Sequence, residues 1–167
     1  LDDIEPFGLC FLPSDSSISC INTPSITNVT INSNATYTVN GHINGIFNFS
    51  NFDGDKISNE TKWYNNSVEM QSFRDLKVIN STYLKRGQNW TFSVRIFDGI
   101  NWSSWANSST ITILNSVPVL SPIPNITASE SDFVNITLMG NITATDVDGD
   151  SLTYTYTPPL DSSGNWR

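Results

Sequence analysis

From Pro24 onward the chain alternates apolar and polar residues in short runs separated by clusters of Asn, Gly and Ser. That period of two belongs to half-buried strands. Residues 25–31 (SITNVTI), 35–39 (ATYTV), 44–49 (NGIFNF), 60–64 (ETKWY), 75–79 (DLKVI), 90–97 with Asn89 at their head (NWTFSVRIF) and 109–114 (STITIL) predict about seven strands between Ser25 and Leu114. No segment offers a helical stripe. In the best-patterned run Trp90, Phe92, Val94 and Ile96 fall on one face, and Thr91, Ser93, Arg95 and Phe97 on the other. The first set is expected to form a core, packing across a sandwich of two sheets against the mid-strand indole of Trp63.

A boundary is expected at ILNSVPVLSPIP (113–124), where prolines at 118, 122 and 124 limit continued sheet pairing. Beyond it NITA, FVNITL, NITATD and SLTYTYT begin a second β module. An internal repeat supports the division: Asp53-Gly54-Asp55 and Asp148-Gly149-Asp150 each precede a strand and lie 95 residues apart, about one sandwich length. The predicted organisation is an extension over 1–23, a sandwich over 24–115, and the first half of another over 116–167. The strand count and spacing match all-β, tandem β-sandwich modules of the immunoglobulin or fibronectin type III kind, with the second incomplete within this chain. Its missing strands would follow Arg167 or come from a neighbouring chain.

Composition narrows the class. Only 14 % of residues are charged, yet the net charge is -8 and no basic run occurs, so nucleic acid is not an expected partner. No stretch reaches the ~20 apolar residues of a membrane-spanning helix. A start at Leu1 fits a mature form that has lost a signal peptide, or a sequence beginning partway along. Cys10 and Cys20 are expected to pair in an exported chain and staple the extension. A metal or redox role for them would want tighter spacing and histidine, and the one histidine is His42.

The polar residues carry a more specific signal. Twelve of the twenty asparagines lie in Asn-x-Ser/Thr triplets without proline: Asn28, Asn34, Asn48, Asn59, Asn65, Asn80, Asn89, Asn101, Asn107, Asn125, Asn135 and Asn141. With Ser and Thr at about a quarter of residues, chance gives ~5. Compositional drift in an Asn/Ser/Thr-rich chain is the plain alternative. N-glycosylation is the functional one, and it implies an exported chain with those positions facing solvent.

The segment NSVPVLSPIPNITASESDFVNITLMGNITATDVDGDSLTYTYT resembles a cadherin-like or dystroglycan-type repeat of microbial surface proteins. GQNWTFSVRIFDGINWSSWANSSTITILN resembles the second half of a related immunoglobulin-like or fibronectin type III-like repeat. With the dense sequons, the likeness over roughly 24–167 is closest to archaeal surface-layer or extracellular filament proteins.

Three constellations remain. Asp146, Asp148 and Asp150 on one turn repel each other unless a cation or solvent separates them, and calcium takes such carboxylates. The resemblance implies Glu130, Asp146 and Asp148 around calcium, with Asn115 or Asp150 contributing. The alternative is a solvated Asp-Gly turn. Around Asp53 and Asp55, Asn51 replaces the leading acid and no upstream Glu is present. NWSSWA (101–106) resembles the W-S-x-W-S box of cytokine-receptor fibronectin domains, which implies Arg95 stacked on Trp102 or Trp105. An exogenous-sugar platform is the rival, although the glycans of Asn101 and Asn107 would crowd it. His42 sits in a Gly-rich turn without a nucleophile motif, and no catalytic residue is identified. The expectation is a structural, N-glycosylated extracellular surface or filament protein whose partners are copies of itself. The alternatives are an adhesin and an accessory module of a secreted hydrolase.

Overall fold

The computed structural model describes residues 23–51, 57–123, 142–157 and 162, with the backbone alone at 9–11 and 19–21. The chain divides into two compact units, Leu1–Leu114 and Asn115–Arg167.

In the first unit, strands β1 (Leu9–Phe11) and β2 (Ser19–Ile21) form an antiparallel pair with Cys10 opposite Cys20. The disulfide expected there rests on side chains outside the described residues. Seven further strands build two larger sheets with β10. The first sheet runs β3 (Ser25–Ser33), β4 (Ile43–Ser50), β7 (Val78–Ile79). The second runs β10 (Ile111–Thr112), β8 (Asn89–Phe97), β5 (Ser58–Asn65), β6 (Val68–Glu69), with β9 (Ala106–Asn107) also on β8. All these pairings are antiparallel.

The two sheets pack face to face in the arrangement of a β-sandwich. Phe47 of β4 stacks on Phe92 of β8 with ring centroids 6.4 Å apart. Gly45 lies beneath that ring, and a Cβ there would come within 2.5 Å of Phe92 Cδ2 and Cε2. Trp63, Trp90, Phe92, Val94, Ile96, Ile43 and Ile79 are sealed from solvent, and burying such side chains contributes about 1.5–3 kcal/mol each. Trp63 does meet Phe92 (4.9 Å) and Trp90 (6.1 Å), but as a neighbour in the same sheet. The expected contact across the sandwich is supplied by Phe47 instead.

Several predicted strands are shorter. Residues 35–39 form turns, because Thr36 (φ 49°) and Tyr37 (φ 61°) adopt left-handed backbone that no strand allows. Thr38 makes only an isolated bridge to Leu114. Within 75–79 only Val78–Ile79 is a strand: Asp75 has φ 60°, and its Oδ1 accepts the Thr61 amide at 3.1 Å.

In the second unit β11 (Val119–Leu120) pairs antiparallel with β12 (Ala144–Thr145). Pro118 and Pro122 therefore bracket a strand, where the sequence pattern led us to expect an unpaired linker. Residues 151–157 form no strand. The predicted strands NITA and FVNITL lie outside the described residues.

Candidate functional site

The outer face of the five-stranded sheet carries a ladder of aromatic and cationic side chains. Alternation on β8 turns Arg95 and Phe97 away from the core, and β5 does the same for Glu60 and Lys62. The guanidinium of Arg95 lies 4.2 Å from the Trp102 ring and 4.9 Å from Trp105. Lys62 Nζ sits 4.5 Å over the other end at Trp105, and Phe97 meets Trp102 at 4.9 Å. Arg95 thus engages both indoles, and it also donates Nε and Nη2 to Glu60 Oε2 at 2.9 and 2.6 Å. Beside the ladder Glu69 takes Arg74 (2.6 Å) and Lys62 (3.5 Å). The Arg74 hydrogen bond, aided by the charges of Arg74 and Lys62, holds the Glu69 carboxyl below its usual 4.5 against an opposing desolvation.

The loop holding the tryptophans is tied to β8 by two serines that sequence reading overlooked. Ser103 Oγ accepts the Ile96 amide (2.9 Å) and donates to the Ser104 carbonyl (3.0 Å). Five residues on, Ser108 Oγ accepts the Phe92 amide (3.0 Å) and donates to the Ser109 carbonyl (2.9 Å). Each serine's own amide returns to the same β8 residue's carbonyl at 2.8 Å. Both serines are buried. The visible signal was the Ser-Ser pair recurring at a five-residue interval in WSSWANSS. Ahead of them, Asp98 Oδ1 fixes the turn by accepting the amides of Ile100 (2.8 Å) and Asn101 (2.6 Å).

Nine of the twelve sequon asparagines are described; Asn125, Asn135 and Asn141 are not. Asn28, Asn34, Asn48, Asn59, Asn80, Asn89 and Asn107 are exposed, Asn65 and Asn101 are half-buried, and none is buried. Asn28 and Asn48 stand directly opposite each other on β3 and β4. Asn34 Oδ1 accepts the His42 amide at 2.8 Å and Asn89 Oδ1 accepts the Thr112 hydroxyl at 2.7 Å. Both contacts use the oxygen and leave the amide nitrogen as the atom a glycan would occupy.

On the acidic turn, Asp146 Oδ1 accepts the amides of Asp148 (2.8 Å) and Asp150 (3.3 Å), and Asp148 Oδ2 accepts the Ser116 amide (2.6 Å). Gly149 supplies φ 78°. Two carboxylate oxygens thus satisfy backbone donors, and Asn115 Nδ2 donates to the Ser116 carbonyl at 3.1 Å. Among the described residues no three acidic, histidine or cysteine side chains are grouped to hold a metal. Glu130, Asp53 and Asp55 lie outside the described residues.

The class these features define is an all-β protein of packed antiparallel sheets with an asparagine-studded surface. No protein-family model, curated protein or solved structure matches the chain. Among the described residues no helix is long and apolar enough to cross a membrane.

Proposed function

We propose that this chain is a structural, non-enzymatic, N-glycosylated protein of a cell surface or extracellular filament, assembling with copies of itself through immunoglobulin-like or fibronectin type III-like modules. The observation that carries it is the density of the sequons, twelve among twenty asparagines where composition alone gives ~5. None of the nine described acceptors is buried, as sugars require; polarity keeps the other described asparagines off the core as well, so the placement permits glycans and the density argues for them. Cryo-electron microscopy of native material tests the assembly: ordered fibres or sheets with sugar density on the sequons are expected, and isolated particles with bare asparagines contradict it.

The adhesin reading draws on Trp102, which leaves 37 % of its surface exposed at the end of the ladder. A glycan array separates it, since pure scaffolding predicts no specific retention. Calcium at Glu130, Asp146, Asp148 and Asp150 belongs to the cadherin-like part of the proposal. Two of the carboxylate oxygens already serve backbone amides, so a calcium titration followed by calorimetry is the check on that part.

A further inference from the structure

The sequons are distributed unevenly over the sheet edges. A strand with a neighbour on one side only exposes a row of unpaired amides and carbonyls, a template for another chain. Among the described residues β6, β7 and β10 pair on one side only, over two residues each, and bear no acceptor; four other open stretches remain. β3 pairs only with β4. β4 pairs with β7 only at Ile43 and Asn44, and Gly45 adds one bond to Lys77, which leaves Ile46–Ser50 open on that side. β5 pairs with β6 at Tyr64 and Asn65, and bonds to Met70 and Asp75 cover Trp63 and Thr61, so Ser58–Glu60 is open. β9 pairs only with β8. Each of these four stretches bears one acceptor: Asn28, Asn48, Asn59 and Asn107. β8, flanked on both sides, bears one only at its first residue, Asn89, and none from Trp90 to Phe97.

The usual protection is meanwhile thin. Natural edges are blunted by charge, proline, bulges or covering segments. β3, β4 and β9 contain no charged residue and no proline, and a bulge between Ile26 and Asn28 is the sole such device on β3. Between the open stretches of β4 and β5 runs a groove lined by Ile46, Phe47, Phe49 and Ile57 together with the polar Asn44, Asn59 and Lys77. Gly45–Phe49 (GIFNF) combines β-forming residues with zero charge, the composition of an aggregation-prone segment. The charged residues at these edges are Glu60 on β5 and Lys77 beside β4, whose Nζ lies 4.9 Å over the Phe47 ring.

We propose that N-glycans at Asn28, Asn48, Asn59 and Asn107 act as edge guards, blocking pairing of this sandwich with the open edges of a second copy of the chain. This rests on the glycosylation proposed above and assigns those four glycans a task distinct from general hydration. An incoming strand must approach to about 4.8 Å along the sheet. A glycan rooted on the edge strand sweeps that space, and seating the strand would also strip water from its hydroxyls. Any ordered assembly is then steered away from these edges and toward other surfaces.

The test uses the full chain made in a glycosylating host, with glycopeptide mass spectrometry for occupancy and light scattering for association at matched concentration. An edge set carries Asn28→Gln, Asn48→Gln, Asn59→Gln and Asn107→Gln. A control set removes as many glycans elsewhere through Thr36→Ala, Ser67→Ala, Thr82→Ala and Thr91→Ala, which disable Asn34, Asn65, Asn80 and Asn89. A second edge set, Thr30→Ala, Ser50→Ala, Asn59→Gln and Ser109→Ala, deletes the edge glycans mainly through the hydroxyls and covers a folding defect in the first. Circular dichroism confirms that each variant folds. The edge sets are expected to associate at least tenfold faster than the unsubstituted chain, with the control set unchanged. Occupied sites with edge sets that stay monomeric, or control and edge sets that associate equally, overturn the guarding role. Bare asparagines in the unsubstituted chain overturn the glycosylation itself, and the mass spectrum separates that failure from the other two.

Discussion

Gly45 shows how one missing side chain sets the distance between the sheets. Its sequence context, a glycine inside an alternating run, marks a close approach without saying to what. The structure answers with the Phe92 ring. Gly45→Ala forces that ring or the β4 backbone to move, and overpacking of this kind costs about 1–3 kcal/mol. Urea unfolding should show a lower midpoint at constant slope; an unchanged midpoint would mean the core is looser there. Glu69 makes a separate prediction about acid. Its pKa is lowered in the folded chain, chiefly by the Arg74 hydrogen bond, so its contribution is fully present above 4.5 and is lost as pH falls through the lower folded value. Because Glu69 is partly exposed, the effect is small. Urea unfolding across pH should show Glu69→Gln slightly less stable than the unsubstituted chain near neutrality, with the difference shrinking as pH falls below about 4.5, the ordinary carboxyl range.

The element scale shows what alternation can and cannot reveal. β8 was legible because Trp90, Phe92, Val94 and Ile96 bury one face completely, and tertiary packing agrees with the local pattern. ATYTV at 35–39 carries the same alternation but forms turns, held by Tyr37 Oη donating to the Ile31 carbonyl and the Leu114 amide donating to the Tyr37 carbonyl. Left-handed backbone at Thr36 and Tyr37 has no counterpart in residue type, so the sequence could not disclose it. The ladder was half legible: the W-S-S-W spacing pointed to Arg95, while Lys62 comes from β5, a strand distant in sequence. Exposed cation–π contacts of this size contribute about 0.5–1 kcal/mol each. Arg95→Ala should therefore cost about 1–2 kcal/mol with a changed near-ultraviolet dichroism of the indoles, and Arg95→Lys should recover part of both.

Ser103 and Ser108 extend the same lesson to hydrogen bonding. Each hydroxyl stands where a sheet partner's carbonyl would otherwise accept a β8 amide, and alanine would strand that amide in a buried place. Ser103→Ala and Ser108→Ala should each destabilise by about 1–3 kcal/mol. Their targets, Ile96 and Phe92, are four residues apart on one strand, so the two losses should add in the double variant. Thermal unfolding of the three variants measures this, and a double variant no worse than either single one would show that the loop detaches as a unit.

At the scale of the whole molecule, the sandwich core and the sequon surface occupy complementary parts of the chain. Inward positions of β3, β4 and β8 are largely apolar; on β5 Asn59 and Asn65 share the parity of buried Thr61 and Trp63 but sit near the strand's two ends, and the other described acceptors take outward positions, strand ends and turns. This division follows from two requirements acting on one period of two: apolar area leaves water while any sugar stays in it. Surface character was thus readable from sequence, whereas the open edges were not, because pairing partners are set by topology. Two sites also carry information about timing. Thr61 of the Asn59 sequon is buried and donates to the Leu76 carbonyl at 3.2 Å, and Ser103 of the Asn101 sequon is buried and donates to the Ser104 carbonyl at 3.0 Å, so modification of Asn59 and Asn101 belongs before the sandwich closes.

The measurement that bears most directly on this account is site-resolved glycopeptide mass spectrometry of the protein from its native source. The account predicts glycan on most of the twelve acceptors, with Asn28, Asn48, Asn59 and Asn107 among those occupied. Unmodified asparagine at these positions in the mature, native protein would contradict it and return the sequons to composition alone.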